Sequence, residues 1–163
     1  MTHPVTLLQV LTLIVVANAA PIAARRVFRD YFSYPLDCGV RLPDGGPLLG
    51  RTKTIRGILS SLIVTTTCAP IVGLGWEVGL TIGLTAMAGD LLSSFLKRRL
   101  RFPESSMALG FDQIPESLFP LLACQRLLQL TFLDVIVGVV AFFISELALS
   151  RLSHILGIRR HPY

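Results

Sequence analysis

Charged residues are scarce in this chain of 163 residues: Asp, Glu, Lys and Arg together make up 15% of it, against 52% for the hydrophobic residues. Soluble globular domains carry about 25% charged residues, so this composition excludes a soluble domain of this size. The mean hydropathy of +0.66 agrees. We therefore expect a membrane protein.

Cysteine and histidine are also scarce, with three of each. The cysteines are far apart and have no paired spacing: Cys38, Cys68 and Cys124. The histidines are isolated near the two ends of the chain: His3, His154 and His161. This distribution excludes a cysteine redox or zinc site and makes a histidine metal centre improbable.

Long apolar stretches are present instead. Residues 5–24, 58–75, 78–96, 117–133 and 134–152 are each close to the ~20 residues that a membrane-spanning helix needs. The sequence therefore predicts an all-α membrane protein of about five transmembrane helices, forming one integral membrane domain over residues 1–163. The first stretch ends in small residues, as a signal peptide does, but no Lys or Arg precedes it and three arginines follow it, which favours a retained helix with its N-terminus outside.

The basic residues indicate the orientation of these helices. Seven lie between Arg25 and Arg56, four between Lys97 and Arg101, and three from Arg151 onward, whereas Arg126 alone breaks the pattern. Since cytoplasmic loops are enriched in Lys and Arg, we expect two polar cytoplasmic loops and a cytoplasmic C-terminus in the cell membrane.

Asp90 is an acid within the apolar third stretch, where a carboxylate is costly and normally faces a bundle interior or a wet cavity. At 100° per residue, Ser94, Lys97 and Arg101 lie within about 40° of Asp90 on the same helix face. Asp90 either pairs with Lys97 or has a separate partner, and the axial rise of about 10 Å between them favours separate partners. Upstream, Gly75, Gly79 and Gly83 predict close approach of a neighbouring helix.

The segment from Gly50 to Gly57 combines glycines, hydroxyls and cations directly before the second apolar stretch. Gly50, Lys53, Thr54 and Arg56 have the chemistry to bind phosphate oxygens at a helix N-terminus. The spacing does not match a P-loop, because two residues intervene before Lys53 and no buried strand precedes it.

A third polar cluster, at 110–117, contains Asp112 and Glu116 just before the fourth stretch. Its acids could simply cap a helix and occupy its first turn. Together with Asp90, however, they could hold Mg²⁺, which prefers a few carboxylates together with substrate phosphates. Such a site suits transfer from a nucleoside triphosphate to a lipid phosphate, in which positioning and electrostatics supply the rate and no protein nucleophile is needed.

These residues occur in runs that, in this order, resemble the CDP-archaeol synthase family, relatives of the CDP-diacylglycerol synthases, along almost the entire chain. The runs are Ala17-Asn18-Ala19-Ala20-Pro21, Pro35-Leu36-Asp37-Cys38-Gly39, Leu49-Gly50 with Lys53-Thr54 and Arg56-Gly57, Gly89-Asp90-Leu91 with Ser94-Phe95 and Lys97-Arg98-Arg99, and Asp112-Gln113. One departure is that Pro115 stands where archaeal members have a second Asp, so that Glu116 or a residue elsewhere must replace that ligand.

The resemblance implies a Mg²⁺-dependent cytidylyltransferase that joins CMP from CTP to a phosphorylated glycerolipid, archaetidate-like or phosphatidate-like, and releases pyrophosphate at the cytoplasmic face. Nucleic acid is not an expected partner. Carried over by position, Asp90 would be a metal ligand, and Asp112 would help to hold metal or nucleotide. The residues expected at the nucleotide are Asn18, Asp37, Lys53, Arg56, Lys97 and Arg98, with Gly50, Thr54 and Ser94 beside them.

A small transporter or channel with Asp90 as its ion or proton site is the alternative. It fits less well, because the polar clusters are all expected at one membrane face instead of being distributed across the bilayer. A purely structural subunit is a third possibility, favoured by the glycine repeat but giving no reason for Asp90.

Overall fold

A computed structural model describes residues 3–102, 108 and 110–155, with side chains as far as Arg151. Its five helices are α1 (Pro4–Phe28), α2 (Ile55–Ile71), α3 (Trp76–Arg99), α4 (Gln113–Gln125) and α5 (Phe132–Ile155). The described residues form no sheet, and two isolated β-bridges lie in the segment between α1 and α2. The prediction of an all-α protein is therefore confirmed.

Three of these helices are long and apolar enough to cross a membrane: α1, α3 and the Phe132–Arg151 part of α5. Large apolar side chains on the helices are exposed, among them Leu8, Ile63, Leu84 and Ile144 at 51–66%. Such exposure is unfavourable in water but normal for helices that face lipid. These features are those of an integral membrane protein.

The fourth helix differs most from the expectation. The apolar stretch at 117–133 predicts one long helix, whereas α4 begins at Gln113 and ends at Gln125 after 13 residues. A turn with Gln129 at φ 53° follows, and α5 then begins where Thr131 and Asp134 exchange hydrogen bonds. This reciprocal cap ends the apolar stretch, because it satisfies the first N–H groups of a new helix.

Glycines bring the helices close together, as the small-residue spacing in α3 predicts. A Cβ on Gly79 would lie 2.5 Å from the carbonyl oxygen of Thr65 in α2, and one on Gly83 would lie 2.5 Å from Thr65 Oγ1. Gly75 instead occupies the N-cap of α3. The α2–α3 contact therefore depends on Gly79 and Gly83.

The apolar core lies among all five helices, and α2 contributes Ala69 to it. Its fully buried members include Val10, Leu13, Ile82, Leu121 and Phe142. This core fixes the relative positions of α3 and α4, the helices that carry the polar clusters described next.

Candidate active site

Asp90 of α3 forms an ion pair with Lys53, which belongs to the segment before α2. The Lys53 Nζ lies 2.6 Å from both carboxylate oxygens. The two side chains are 23% and 21% exposed, so the pair is largely shielded from solvent. Breaking such a pair by removing one partner leaves a poorly solvated charge, which costs about 3–5 kcal/mol when the site is fully buried and less here.

Lys97 forms a second ion pair two turns further along α3. Its Nζ lies 2.7 Å from Oδ1 and 2.9 Å from Oδ2 of Asp112, at the start of α4. Asp90 and Lys97 therefore have separate partners, as the axial distance between them favours. Asp112 stands at the N-cap position of α4 but makes no side-chain capping bond there, so capping is not its role.

Glu116 brings a third carboxylate to the first of these pairs. It is 7% exposed and within hydrogen-bonding reach of Asp90, and the charges of Glu146 and Lys53 also act on it. The approach depends on Gly89, where a Cβ would lie 2.3 Å from the carbonyl oxygen of Pro115. The backbone of α4 thus packs directly on α3 beside the acid.

The three acids predicted as metal ligands are not gathered into one cluster. Among the residues that the structure describes, no three acids, histidines or cysteines are close enough to hold a metal ion by themselves. Asp90 and Glu116 are adjacent, whereas Asp112 forms an ion pair with Lys97. Two adjacent carboxylates fit a hard divalent ion whose remaining ligands come from substrate phosphates and water.

Asp37 organises the segment between α1 and α2. Its carboxylate accepts hydrogen bonds from the backbone N–H groups of Gly39 at 3.0 Å, Leu49 at 3.0 Å and Gly50 at 3.2 Å. Burial acts to raise the pKa of Asp37, but the hydrogen bonds from Leu49, Gly39 and Gly50 outweigh it, so the pKa is lowered from its ordinary value. These bonds hold Gly50 in place, three residues before Lys53.

Arg99 ties the same segment to the end of α3. Its guanidinium pairs with Asp44 and donates to the carbonyl oxygen of Pro47. It also lies 5.5 Å from the centre of the Phe95 ring. Arg99 and Asp37 therefore hold the segment that presents Lys53 to Asp90.

The other two polar residues of the loop motif, Thr54 and Arg56, form hydrogen bonds with the backbone. Thr54 is the N-cap of α2 and accepts a hydrogen bond from the backbone N–H of Gly57 at 3.1 Å. Arg56 donates to the carbonyl oxygens of Arg29 and Tyr31, at the end of α1. Thus Lys53 reaches the Asp90 carboxylate, while Arg56 is directed to the end of α1.

Three further candidates lie on α1 and α3. The Nδ2 of Asn18 is buried and has no hydrogen-bond partner in the described part of the chain, which suits a site for a ligand oxygen. Ser94 is 3% exposed, one turn after Asp90, and Arg98 donates to the carbonyl oxygen of Phe102 at 2.8 Å. Arg101 lies beyond the end of α3 at φ 60°, so the predicted stripe ends at Lys97.

Two residues near the acids are missing from the sequence-based set. Glu146 of α5 interacts with Glu116, and the same signal that identified Asp90, a lone acid in an apolar run, is present around it. Gln113 is 1% exposed, and its Nε2 has no hydrogen-bond partner within the described residues. Its position next to Asp112 is the signal that would have identified it.

The helices and this ionic site together define an α-helical membrane protein with two lysine–carboxylate pairs where α3 meets α4. A family model described as CarS-like, CDP-archaeol synthase, matches residues 74–163. The CDP-archaeol synthase of Aeropyrum pernix is 32% identical over 158 residues, which cover 91% of this chain and 86% of that protein. The chain belongs to the CDP-archaeol synthase family.

Two other comparisons agree with this assignment. The CDP-archaeol synthase of Pyrococcus furiosus is 37% identical over 89 residues, and the match spans about half of each protein, 48% of this chain and 53% of the relative. A solved structure of an intramembrane enzyme for archaeal membrane lipid biosynthesis is similar to the chain with a TM-score of 0.75 and 30% identity. That match covers 86% of this chain and 90% of the solved one.

Proposed function

We propose that this protein is a cytidylyltransferase that transfers CMP from CTP to a phosphorylated glycerolipid, with a diether or diacyl tail, and releases pyrophosphate. The single observation that carries the proposal is the arrangement of two lysines and three acids along the α3–α4 contact: Lys53 with Asp90 and Glu116, and Lys97 with Asp112. Membership of the CDP-archaeol synthase family supports it.

The spacing of the lysine pairs suits a triphosphate. Asp90 and Lys97 are seven residues apart in α3, which corresponds to about 10 Å along the helix axis. Lys53, which is paired with Asp90, and Lys97 can therefore neutralise neighbouring phosphate groups of one nucleotide. Each lysine would turn from its carboxylate toward the phosphates when an anionic substrate arrives.

In the proposed reaction an oxygen of the lipid phosphate attacks the α-phosphorus of CTP. The bond from the α-phosphorus to the oxygen bridging it to the β-phosphate breaks, and pyrophosphate leaves with that electron pair. Lys53 and Lys97 stabilise the negative charge that develops on the leaving group, while Asp37 and Arg99 keep the Lys53 segment in position. The partnerless Nδ2 of Asn18 would donate to a nucleotide oxygen.

The donor set fits a magnesium ion, with Asp90 and Glu116 as its protein ligands and Asp112 as a further candidate. When bound, Mg²⁺ would supply charge neutralisation of the triphosphate. Lys53 lies against both oxygens of Asp90, so it would have to release at least one of them for the ion.

The same proposal includes a location and an orientation. The N-terminus would lie outside, and the segment after α1 and the end of α3 would face the cytoplasm, where CTP is found. The distribution of basic residues supports this, since Lys53, Arg56, Lys97 and Arg98 all lie on the predicted cytoplasmic side. Residues 1–163 would then form one catalytic domain with about five membrane-embedded helices.

The test uses purified protein in detergent with CTP, Mg²⁺ and a phosphorylated glycerolipid. Asp90→Asn should lower pyrophosphate release about 100-fold or more, because it removes both the metal ligand and the partner of Lys53. Asp134→Asn is the matched control, since Asp134 caps α5 with Thr131 away from these pairs. Asp90→Asn protein that folds normally and retains wild-type turnover would refute the proposed site.

A further inference from the structure

A polar cavity lies between the end of α1 and the segment that leads into α2. This cavity, here called the arginine pocket, has a volume of about 470 Å³. Its lining contains four arginines and one acid: Arg25, Arg29, Arg51, Arg56 and Asp30. Neither Lys53 nor Asp90 contributes to it, so it is separate from the lysine–carboxylate pairs of the α3–α4 contact.

Among the described residues that line this pocket, four arginines face a single acid, Asp30. The ion pairs that Lys53, Lys97 and Arg99 form in the described part of the chain involve no arginine of the pocket. Arg56 donates only to backbone carbonyls, and its buried Nε has no partner among the described residues. Four guanidinium groups around one concave space repel each other unless an anion lies between them.

Two features make phosphate the suitable anion. The N-cap of α2, Thr54, lines the pocket, so the positive end of the helix dipole adds to the arginines. Guanidinium groups also match phosphate oxygens with paired hydrogen bonds.

One short segment contributes both to this pocket and to the Lys53–Asp90 pair. Thr54 is extended, with φ −118° and ψ 150°, and follows a turn in which the backbone N–H of Lys53 donates to the carbonyl oxygen of Gly50 at 3.3 Å. Thr52 and Thr54 line the pocket, whereas Lys53 between them reaches Asp90. One short segment therefore carries phosphate-binding groups on both of its sides.

The surroundings of the pocket favour a lipid as the source of the phosphate. Four large side chains lie between its lining residues in the sequence and are 67–76% exposed: Val27, Tyr31, Phe32 and Tyr34. Exposed aromatic residues at the end of a membrane-crossing helix are typical of the headgroup level of a bilayer. A phosphorylated lipid can reach this level by lateral diffusion while its tails stay in the membrane.

We propose that the arginine pocket is a second phosphate subsite, which takes the phosphate monoester headgroup of the lipid substrate from the membrane surface. The inference rests on the proposed function and assigns Arg25, Arg29 and Arg51 to the lipid, while Lys53 and Lys97 serve the nucleotide. Phosphate esters share this chemistry, so the experiment must separate lipid phosphate from nucleotide triphosphate and free phosphate.

The test measures binding of two ligands separately to the purified full chain in detergent, by calorimetry. The ligands are a short-chain diacylglycerol phosphate and CTP with Mg²⁺, and inorganic phosphate is added as competitor in a third arm. The double variant Arg25→Gln/Arg51→Gln should bind the lipid phosphate about 100-fold more weakly, about tenfold for each lost charged contact. Its affinity for CTP should stay within about twofold of the wild type, since neither residue lies at the lysine pairs.

Two controls isolate the chemistry. Arg126→Gln removes an exposed arginine outside the pocket and should change neither affinity. Arg25→Lys/Arg51→Lys keeps the charge but loses paired hydrogen bonding, so it should recover part of the lipid affinity. Arg25 and Arg51 are exposed and Arg56 is left intact as the anchor of α1, so the variants should melt at the wild-type temperature.

Unchanged lipid affinity in the double glutamine variant would overturn the inference, and so would an equal loss of CTP affinity. Inorganic phosphate should compete with the lipid in the wild type, and competition with CTP alone would contradict the assignment. If the wild type releases pyrophosphate while the variant binds lipid normally, the inference fails and the proposed function stands. If the variant loses lipid binding but the wild type makes no pyrophosphate, the function fails and the phosphate subsite stands.

Discussion

Replacing Gly89 by alanine should separate the helices that form the site. A Cβ at this position would lie 2.3 Å from the carbonyl oxygen and 2.5 Å from the carbonyl carbon of Pro115, and 2.8 Å from the backbone nitrogen of Glu116. Ordinary van der Waals contact begins at 3.4 Å, so the start of α4 must move by about 1 Å. No side-chain rotation relieves this contact, because all three atoms belong to the backbone.

The displacement should cost activity more than stability. Overpacking of this kind destabilises by about 1–3 kcal/mol, which a folded bundle tolerates. Glu116 and Asp112 move with α4, however, and a misplacement of ~1 Å can lower a rate by about 100-fold. We therefore expect Gly89→Ala to fold, to melt at a somewhat lower temperature, and to release pyrophosphate about 100 times more slowly.

Gly75→Ala, at the N-cap of the same helix, is the matched control. Its Cβ would meet only the Glu77 side chain, at 2.7 Å, and this flexible carboxylate can rotate away. The assay is the initial rate of pyrophosphate release, with unfolding followed by circular dichroism in the same detergent. Turnover of Gly89→Ala within about twofold of the wild type would show that the α3–α4 distance does not set the geometry of the site.

Three further changes test other parts of the account. Lys53→Met should raise the KM for CTP by about tenfold or more and leave that for the lipid nearly unchanged, and an equal rise in both KM values would contradict the assignment of Lys53 to the triphosphate. Gly79→Ala should lower the free energy of unfolding by about 1–3 kcal/mol, because its Cβ would meet the backbone of α2, and an unaltered melting temperature in detergent would contradict that packing. Asp37→Asn should loosen the segment around Gly50 at pH 7. The pKa of Asp37 is lowered in the folded protein, so the contribution of its carboxylate to stability is present above the ordinary pKa of 3.8. This contribution is lost as the pH falls through the pKa of the folded state. Hydrogen exchange of residues 37–50 should then differ between wild type and variant at pH 7 and converge in acid, whereas a difference that persists unchanged below the folded pKa would refute this role.

The sequence predicts the elements of the site better than their partners. Hydropathy identifies α1, α3 and α5, and helix periodicity places Asp90 and Lys97 on one face with separate partners. Which residues those partners are depends on the tertiary fold, because Lys53 lies 37 positions before Asp90 and is held there by contacts of Asp37 and Arg99.

Errors in the sequence-based account have local causes. The stretch at 117–133 is apolar throughout much of its length, so hydropathy does not reveal the turn after Gln125, although the Thr131–Asp134 cap is visible as a spacing. Glu146 is a lone acid in an apolar run like Asp90, but only the fold brings it near Glu116. The resemblance places Arg56 at the triphosphate, and this role stays a prediction; in the fold its guanidinium donates to carbonyl oxygens at the end of α1, a contact that the sequence does not reveal.

The central claim is that one site at the α3–α4 contact joins a nucleotide to a lipid phosphate. The most direct measurement is mass spectrometry of the lipids formed when purified wild-type protein is incubated with CTP, Mg²⁺ and either a diether or a diacyl glycerol phosphate. We expect a CDP-lipid from at least one of the two, formed in equal amount to pyrophosphate and absent with Asp90→Asn. Folded wild-type protein that binds CTP but forms no CDP-lipid from either substrate would contradict it.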